Sequence, residues 1–190
     1  DTRRTGKDHP MAECTVKDLE VAPYFDLELL MSTCKETRID GDMMQKLAEA
    51  WDRWLPLARA RHIEGNGESY LLAYLDEAVE EDVDDKWEQT PSEAFIFNAL
   101  AQVMCMGIVH SLLPQVEDIG CAPAPHPTDL LADALDAEKS PYLIMGEPGL
   151  ARRYAVVTHY PFKGGCELCV LQKQCPKSGG GMTVTLPGYE

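Results

Sequence analysis

Apolar positions along this 190-residue chain recur mostly at the three-to-four-residue spacing of helices buried on one side. Tyr24–Cys34 carries Phe25, Leu29 and Leu30 on one side, which predicts a short amphipathic helix. The turn Ile39-Asp40-Gly41-Asp42 follows, with Asp40 or Asp42 available as a cap. From Met43 to Ile63, the positions Met43/Met44, Leu47, Trp51, Trp54/Leu55 and Ala58 trace a second helical face, which Pro56 should kink or divide. Gly65-Asn66-Gly67 breaks the pattern. Tyr70, Leu71, Tyr74, Leu75 and Ala78 then predict a third helix that runs into the acidic stretch Asp76–Glu88.

The clearest helix start is Thr90-Pro91-Ser92-Glu93, with Thr90 as N-cap, Pro91 at the first helical position and Glu93 as capping-box partner. The helix from Pro91 to about Leu113 is apolar nearly all round, so it should be the central one. Its most apolar stretch, Ala99–Leu113, contains Gln102 and His110 and is 15 residues long. A bilayer needs roughly 20, so no membrane span is expected. Cys121–Pro127 (CAPAPHP) reads as a loop, and Thr128 can cap a helix over Thr128–Glu138. Beyond Ser140, prolines and glycines punctuate the chain. Leu150–His159 fits a helix or a short strand, and Met182–Leu186 a lone strand or extended tail. The pattern as a whole predicts an all-α fold, a five- to six-helix bundle-like domain with a loop-rich C-terminal cysteine cap. On this reading residues 1–10 would be a disordered tail or an appended remnant, 11–140 the helical domain, and 141–190 the C-terminal metal-binding cap and tail.

Charge narrows the partners. There are 17 basic against 32 acidic side chains, a formal net charge of −15 and a pI near 4.6. A nucleic acid or an anionic membrane needs a basic face, so neither is expected, and a protein partner is. No secretory leader pattern is read, which makes a reduced, cytoplasmic protein the expectation; there, clustered cysteines hold metals more often than disulfides.

The sharpest motif is Gly164-Gly165-Cys166-Glu167-Leu168-Cys169-Val170-Leu171-Gln172-Lys173-Gln174-Cys175-Pro176, with the spacing C-x2-C-x5-C. The C-x2-C pair aims two thiolates at one centre, and the next five residues can return a third. The glycines allow a tight backbone with amide N–H groups near the sulfurs. Lys163, Lys173 and Lys177 would offset the charge of bound thiolates. Three cysteines within ten residues suit a 4Fe-4S cluster; zinc is an alternative, although zinc sites more often use two C-x2-C knuckles, and free thiols or a local disulfide are the plainer reading. Cys121 is the first choice for fourth ligand, because its proline-rich loop can reach the cap. His159 is a non-cysteine alternative, Cys14 and Cys34 are further candidates, and Cys105 reads as a core thiol. A three-cysteine cluster with an open iron is a further arrangement.

Cys166–Cys175 resembles the C-terminal cluster motif of adenine-type DNA glycosylases, of cluster-stapled CRISPR-associated and recombination exonucleases, of WhiB-like regulators and of the nitrogenase molybdenum-donating Q proteins. The glycosylases and Q proteins place another cysteine shortly before the first; Thr158–Gly165 here contains none. The Q proteins are also small, helical and acidic, and the stretches Val109-His110 to Gly120 and Arg152-Arg153-Tyr154 are similar to theirs. What the resemblance implies is an iron–sulfur cofactor.

Other candidates have plainer readings. The eight carboxylates of Asp76–Glu88 read as a solvated helix end, or a docking face for a basic partner. His110 reads as a core histidine and His126 as an exposed loop residue near the site; Trp51, Trp54 and Trp87 need only pack. No Ser/His/Asp set, phosphate loop or paired-carboxylate arrangement is read, and Gly179–Gly181 lacks the Lys-Ser/Thr of a P-loop. The expectation is a cytoplasmic iron–sulfur accessory protein with Cys166, Cys169, Cys175 and Cys121 as ligands. Its role would be electron transfer, redox sensing or metalloenzyme maturation, on a metalloenzyme or redox protein as partner. Alternatives are a zinc-stapled interaction module and, more weakly, an enzyme binding substrate at an open cluster iron.

Overall fold

The computed structural model describes residues 14–137, 143–144, 147–148 and 150–175. The expected tail over residues 1–10 and the strand at Met182–Leu186 lie outside them. The described elements are β1 (Thr15–Leu19), α1 (Leu27–Cys34), α2 (Gly41–Trp54), β2 (Ala58–Gly65), β3 (Glu68–Leu75), α3 (Glu77–Gln89), α4 (Pro91–Leu112), α5 (Pro114–Ile119), α6 (Asp129–Ala137), β4 (Leu143–Ile144), β5 (Glu147–Pro148) and β6 (Ala155–His159). The fold is therefore mixed α/β. The all-α expectation is overturned by a four-stranded antiparallel sheet in the order β1-β2-β3-β6; β4 and β5 pair separately.

Two strands stand where helices were expected. The helix over Met43–Ile63 stops at Trp54, and after a 3₁₀ turn at Leu55–Leu57 the chain extends into β2. Tyr70–Leu75, expected to be helical, is β3. Asn66-Gly67 joins them as a two-residue hairpin loop, with φ of 52° and 78° and Gly65 paired to Glu68. Two consecutive positive φ values are what a type I′ turn needs, and Asn-Gly supplies them at low cost. β3 carries no polar alternation between Tyr70 and Leu75 because both its faces are covered. Leu71, Ala73 and Leu75 join the larger core with α1, α2 and α4, while Tyr70, Leu72 and Tyr74 meet Leu130, Leu131, Ala134 and Leu135 of α6.

Several helix starts follow the sequence closely. Asp26 and Asp40 cap α1 and α2 by accepting from Leu29 N and Met43 N, each at 2.8 Å. Thr128 Oγ1 accepts from Leu131 N at 3.3 Å at the start of α6. α4 begins at Pro91, but Thr90 makes no side-chain capping bond and Glu93 pairs with Lys46 instead, at 2.6 Å. By length and composition α4 could cross a membrane. In this fold it is the core helix, packed against α1, α2, α3, α5 and the sheet. Gly107 lets the chain at Pro23 and Tyr24 approach it closely: a Cβ there would lie 3.2 Å from Pro23 Cβ. β6, beyond residue 140, is hydrogen-bonded into the same sheet as β3.

Candidate metal centre

The candidate site lies where the chain leaves α5 and where it leaves β6. α5 opens on Pro114 and closes on Gly120 in the left-handed conformation (φ 68°), the usual punctuation of a short helix. Cys121 follows at once, in a loop whose prolines 123, 125 and 127 carry no N–H to be satisfied. The loop is tied down through its carbonyls. Thr158 Oγ1 of β6 donates to Pro123 O at 2.8 Å, and the N–H of Val170 donates to Ala124 O at 2.9 Å. One bond fixes the loop to the sheet; the other fixes it to the cysteine segment.

That segment is a chain of tight turns. The N–H of Cys169 bonds to Cys166 O, that of Gln172 to Cys169 O, and that of Cys175 to Gln172 O, at 3.1–3.3 Å. Cys166–Leu168 and Gln172–Gln174 are 3₁₀ turns. Three residues per turn stack side chains at i and i+3 on one face. That stacking holds only within each turn: Cys169 (φ −82°, ψ 122°) is extended between them and Cys175 (φ −79°, ψ 122°) is extended after the second, so the segment is two separate turns rather than one continuous 3₁₀ helix. Gly164 and Gly165 lead in. The N–H of Gly165 donates to Glu167 Oε1 at 2.8 Å, and with the N–H of Glu167 it holds that carboxyl below its ordinary pKa.

Cys121, Cys166, Cys169 and Cys175 line a single small pocket together with Ile119, Pro123 and Gln172. Its free interior is about 20 Å³, room for one water-sized body. Cys166 is exposed and the other three half-buried. None of the seven cysteines is in a disulfide among the described residues. Lys163 and Lys173 are exposed on the same segment, while Lys177 is outside the described residues. As the side chains stand, no three His, Cys, Asp or Glu groups among the described residues are set closely enough to hold a single metal ion.

The other candidates lie elsewhere. His159 turns to the opposite sheet face, its ring 5.7 Å from that of Tyr70. Burial foremost, then the charges of Lys163 and His126, push its pKa down against the pull of Glu68. Cys105 is buried on α4, its Sγ 3.8 Å from Ala73 O, and burial pushes the thiol up to about 12. Cys14 is exposed and its thiol raised, by burial first and then Asp133. Cys34 lines a separate cavity of about 370 Å³ between α1 and α4. His110 is 9% exposed on α4, and His126 is exposed on the proline-rich loop. Sequence reasoning missed Thr158 and Gln172, neither of which carries a local signal. Compared with protein-family models, with curated proteins and with solved structures, this chain finds no match.

Proposed function

We propose that this chain is an iron–sulfur-cluster-binding accessory protein with Cys121, Cys166, Cys169 and Cys175 as ligands. The observation that supports this reading is the presence of four cysteines, from two segments 45 residues apart, on the wall of one pocket. A zinc ion draws four sulfurs to about 3.8 Å from one another, given Zn–S bonds of about 2.3 Å. A cluster brings its own iron and sulfide between the thiolates and accepts wider spacing. With a free interior of about 20 Å³, a cluster fits only if the cysteine segment opens on the side of the exposed Cys166. The same narrowness favours a second reading, a single zinc ion after modest side-chain rotation. The role is accessory, in electron transfer, redox sensing or maturation of another metalloenzyme. A surface of net charge −15 suits docking to a basic protein face.

The test is anaerobic reconstitution with iron and sulfide, followed by metal analysis. A cluster gives a brown protein with about four irons per chain and a visible band bleached by dithionite. A colourless protein holding one zinc overturns the cluster reading. Cys121→Ser should lower iron content; unchanged iron and spectrum would remove Cys121 from the ligand set.

A further inference from the structure

We infer that Thr158 is the residue that positions Cys121 for the metal site, acting through the backbone of the proline-rich loop. The inference rests on the metal-binding reading above. Cys121 is remote in sequence from the other three cysteines, so its presence at the pocket depends on whatever anchors its loop. The prolines at 123, 125 and 127 remove three N–H groups, which leaves carbonyls as the loop's principal backbone handles.

Pro123 itself lines the pocket, two residues after Cys121, and its carbonyl accepts the Thr158 hydroxyl at 2.8 Å. Thr158 is 2% exposed and lies in β6, opposite Leu71 of β3, so the donor belongs to the rigid sheet rather than to a loop. The second tie, from Val170 N–H to Ala124 O, joins the loop to the cysteine segment rather than to the sheet. α5 and the packing of Ala122 on the core bring the chain to Cys121; of the two hydrogen bonds beyond it, only that from Thr158 ties the loop to the sheet. A buried hydroxyl removed from such a contact also leaves the carbonyl without its partner, so the loop is driven to seek water. Outer groups of this kind, which orient a ligand without touching the metal, typically change metal affinity by about 10–100-fold.

The experiment compares Thr158→Val, which keeps the shape and loses the donor, with Thr158→Ser, which keeps the donor. Two quantities are read on the whole chain. The first is the alkylation rate of Cys121 in metal-free protein, followed by peptide mass mapping. The second is iron content after anaerobic reconstitution under a competing chelator. The expected result is alkylation about tenfold faster and affinity about tenfold weaker in the Val variant, with near wild-type behaviour in the Ser variant. Wild-type values for both in Thr158→Val overturn the inference. Equal losses in the Val and Ser variants also overturn it, because they indicate packing rather than the hydrogen bond. If Thr158→Val does not fold, Thr158→Ala carries the same two measurements. If the wild-type chain takes up no iron, the cluster reading falls, while the alkylation rate of Cys121 still decides the role of Thr158.

Discussion

Gly164 shows how one residue shapes the approach to the cysteines. Its φ is 157°, and a Cβ would run into Glu167 Oε1 and come within 3.1 Å of Leu168 Cδ1. Gly164→Ala should therefore dislodge the Glu167 carboxylate from the N–H groups of Glu167 and Gly165. We expect the Glu167 pKa to rise toward its ordinary value, a stability loss of about 1 kcal/mol, and about tenfold weaker metal uptake. Carboxyl NMR titration and chelator competition would check these, and an unshifted Glu167 titration would refute the account. His159 is the other residue with a readable consequence, because its Nδ1 is buried with no hydrogen-bond partner. Its folded pKa lies below the unfolded value of about 6.5. Below that pH the unfolded chain takes up a proton that the folded chain resists, so stability falls as pH drops toward the folded value. Above it the contribution is fully present. His159→Gln should flatten this acid-side slope in urea unfolding measured from pH 7 downward; an unchanged slope would assign it to other groups.

At the scale of elements, α3 is more than a solvated helix end. Asp82 accepts from the buried Trp54 Nε1 at 2.7 Å and from Arg53 Nη2 at 2.8 Å, tying α3 to α2. Asp84 grips the Arg153 guanidinium through two bonds, at 2.7 and 3.1 Å, just before β6. That pairing holds the Asp84 carboxyl below its ordinary range. Asp82→Ala strands an indole N–H in a residue 1% exposed, so we expect about 1–3 kcal/mol of destabilisation. Asp82→Asn, which keeps an acceptor, should lose less. Chemical denaturation of both variants measures this, and equal losses would show that charge, not the indole bond, matters.

The elements also show where the chain was readable. The caps Asp40 and Thr128 were, because they act locally, whereas Asp26 was not singled out and α1 starts at Leu27 rather than Tyr24. The hairpin was signalled by Asn66-Gly67, but the apolar run Tyr70–Leu75 fits a buried helix and a buried strand equally well. Only the layers on either side of β3 decide between them. β1 was not legible: Thr15, Lys17 and Asp18 give no apolar period, and the strand is held by pairing with β2 and by the Asp18–Arg61 ion pair at 2.9 Å.

Across the whole molecule, the candidate site gathers two chain segments at one end of β6, on a fold whose long central helix packs against an antiparallel sheet. The cysteine motif and Cys121 could be singled out from the sequence by residue type and spacing, and the structure brings them to one pocket. The strap from Thr158 could not, since a hydroxyl meeting a carbonyl 35 positions away leaves no local trace. The two-segment build of the pocket has a bearing on how distant counterparts of this chain are recognised. Cys121 is separated from the cysteine motif by α6 and β6, elements whose lengths the pocket does not set. A search pattern should therefore hold the C-x2-C-x5-C spacing and leave the interval between Cys121 and Cys166 open.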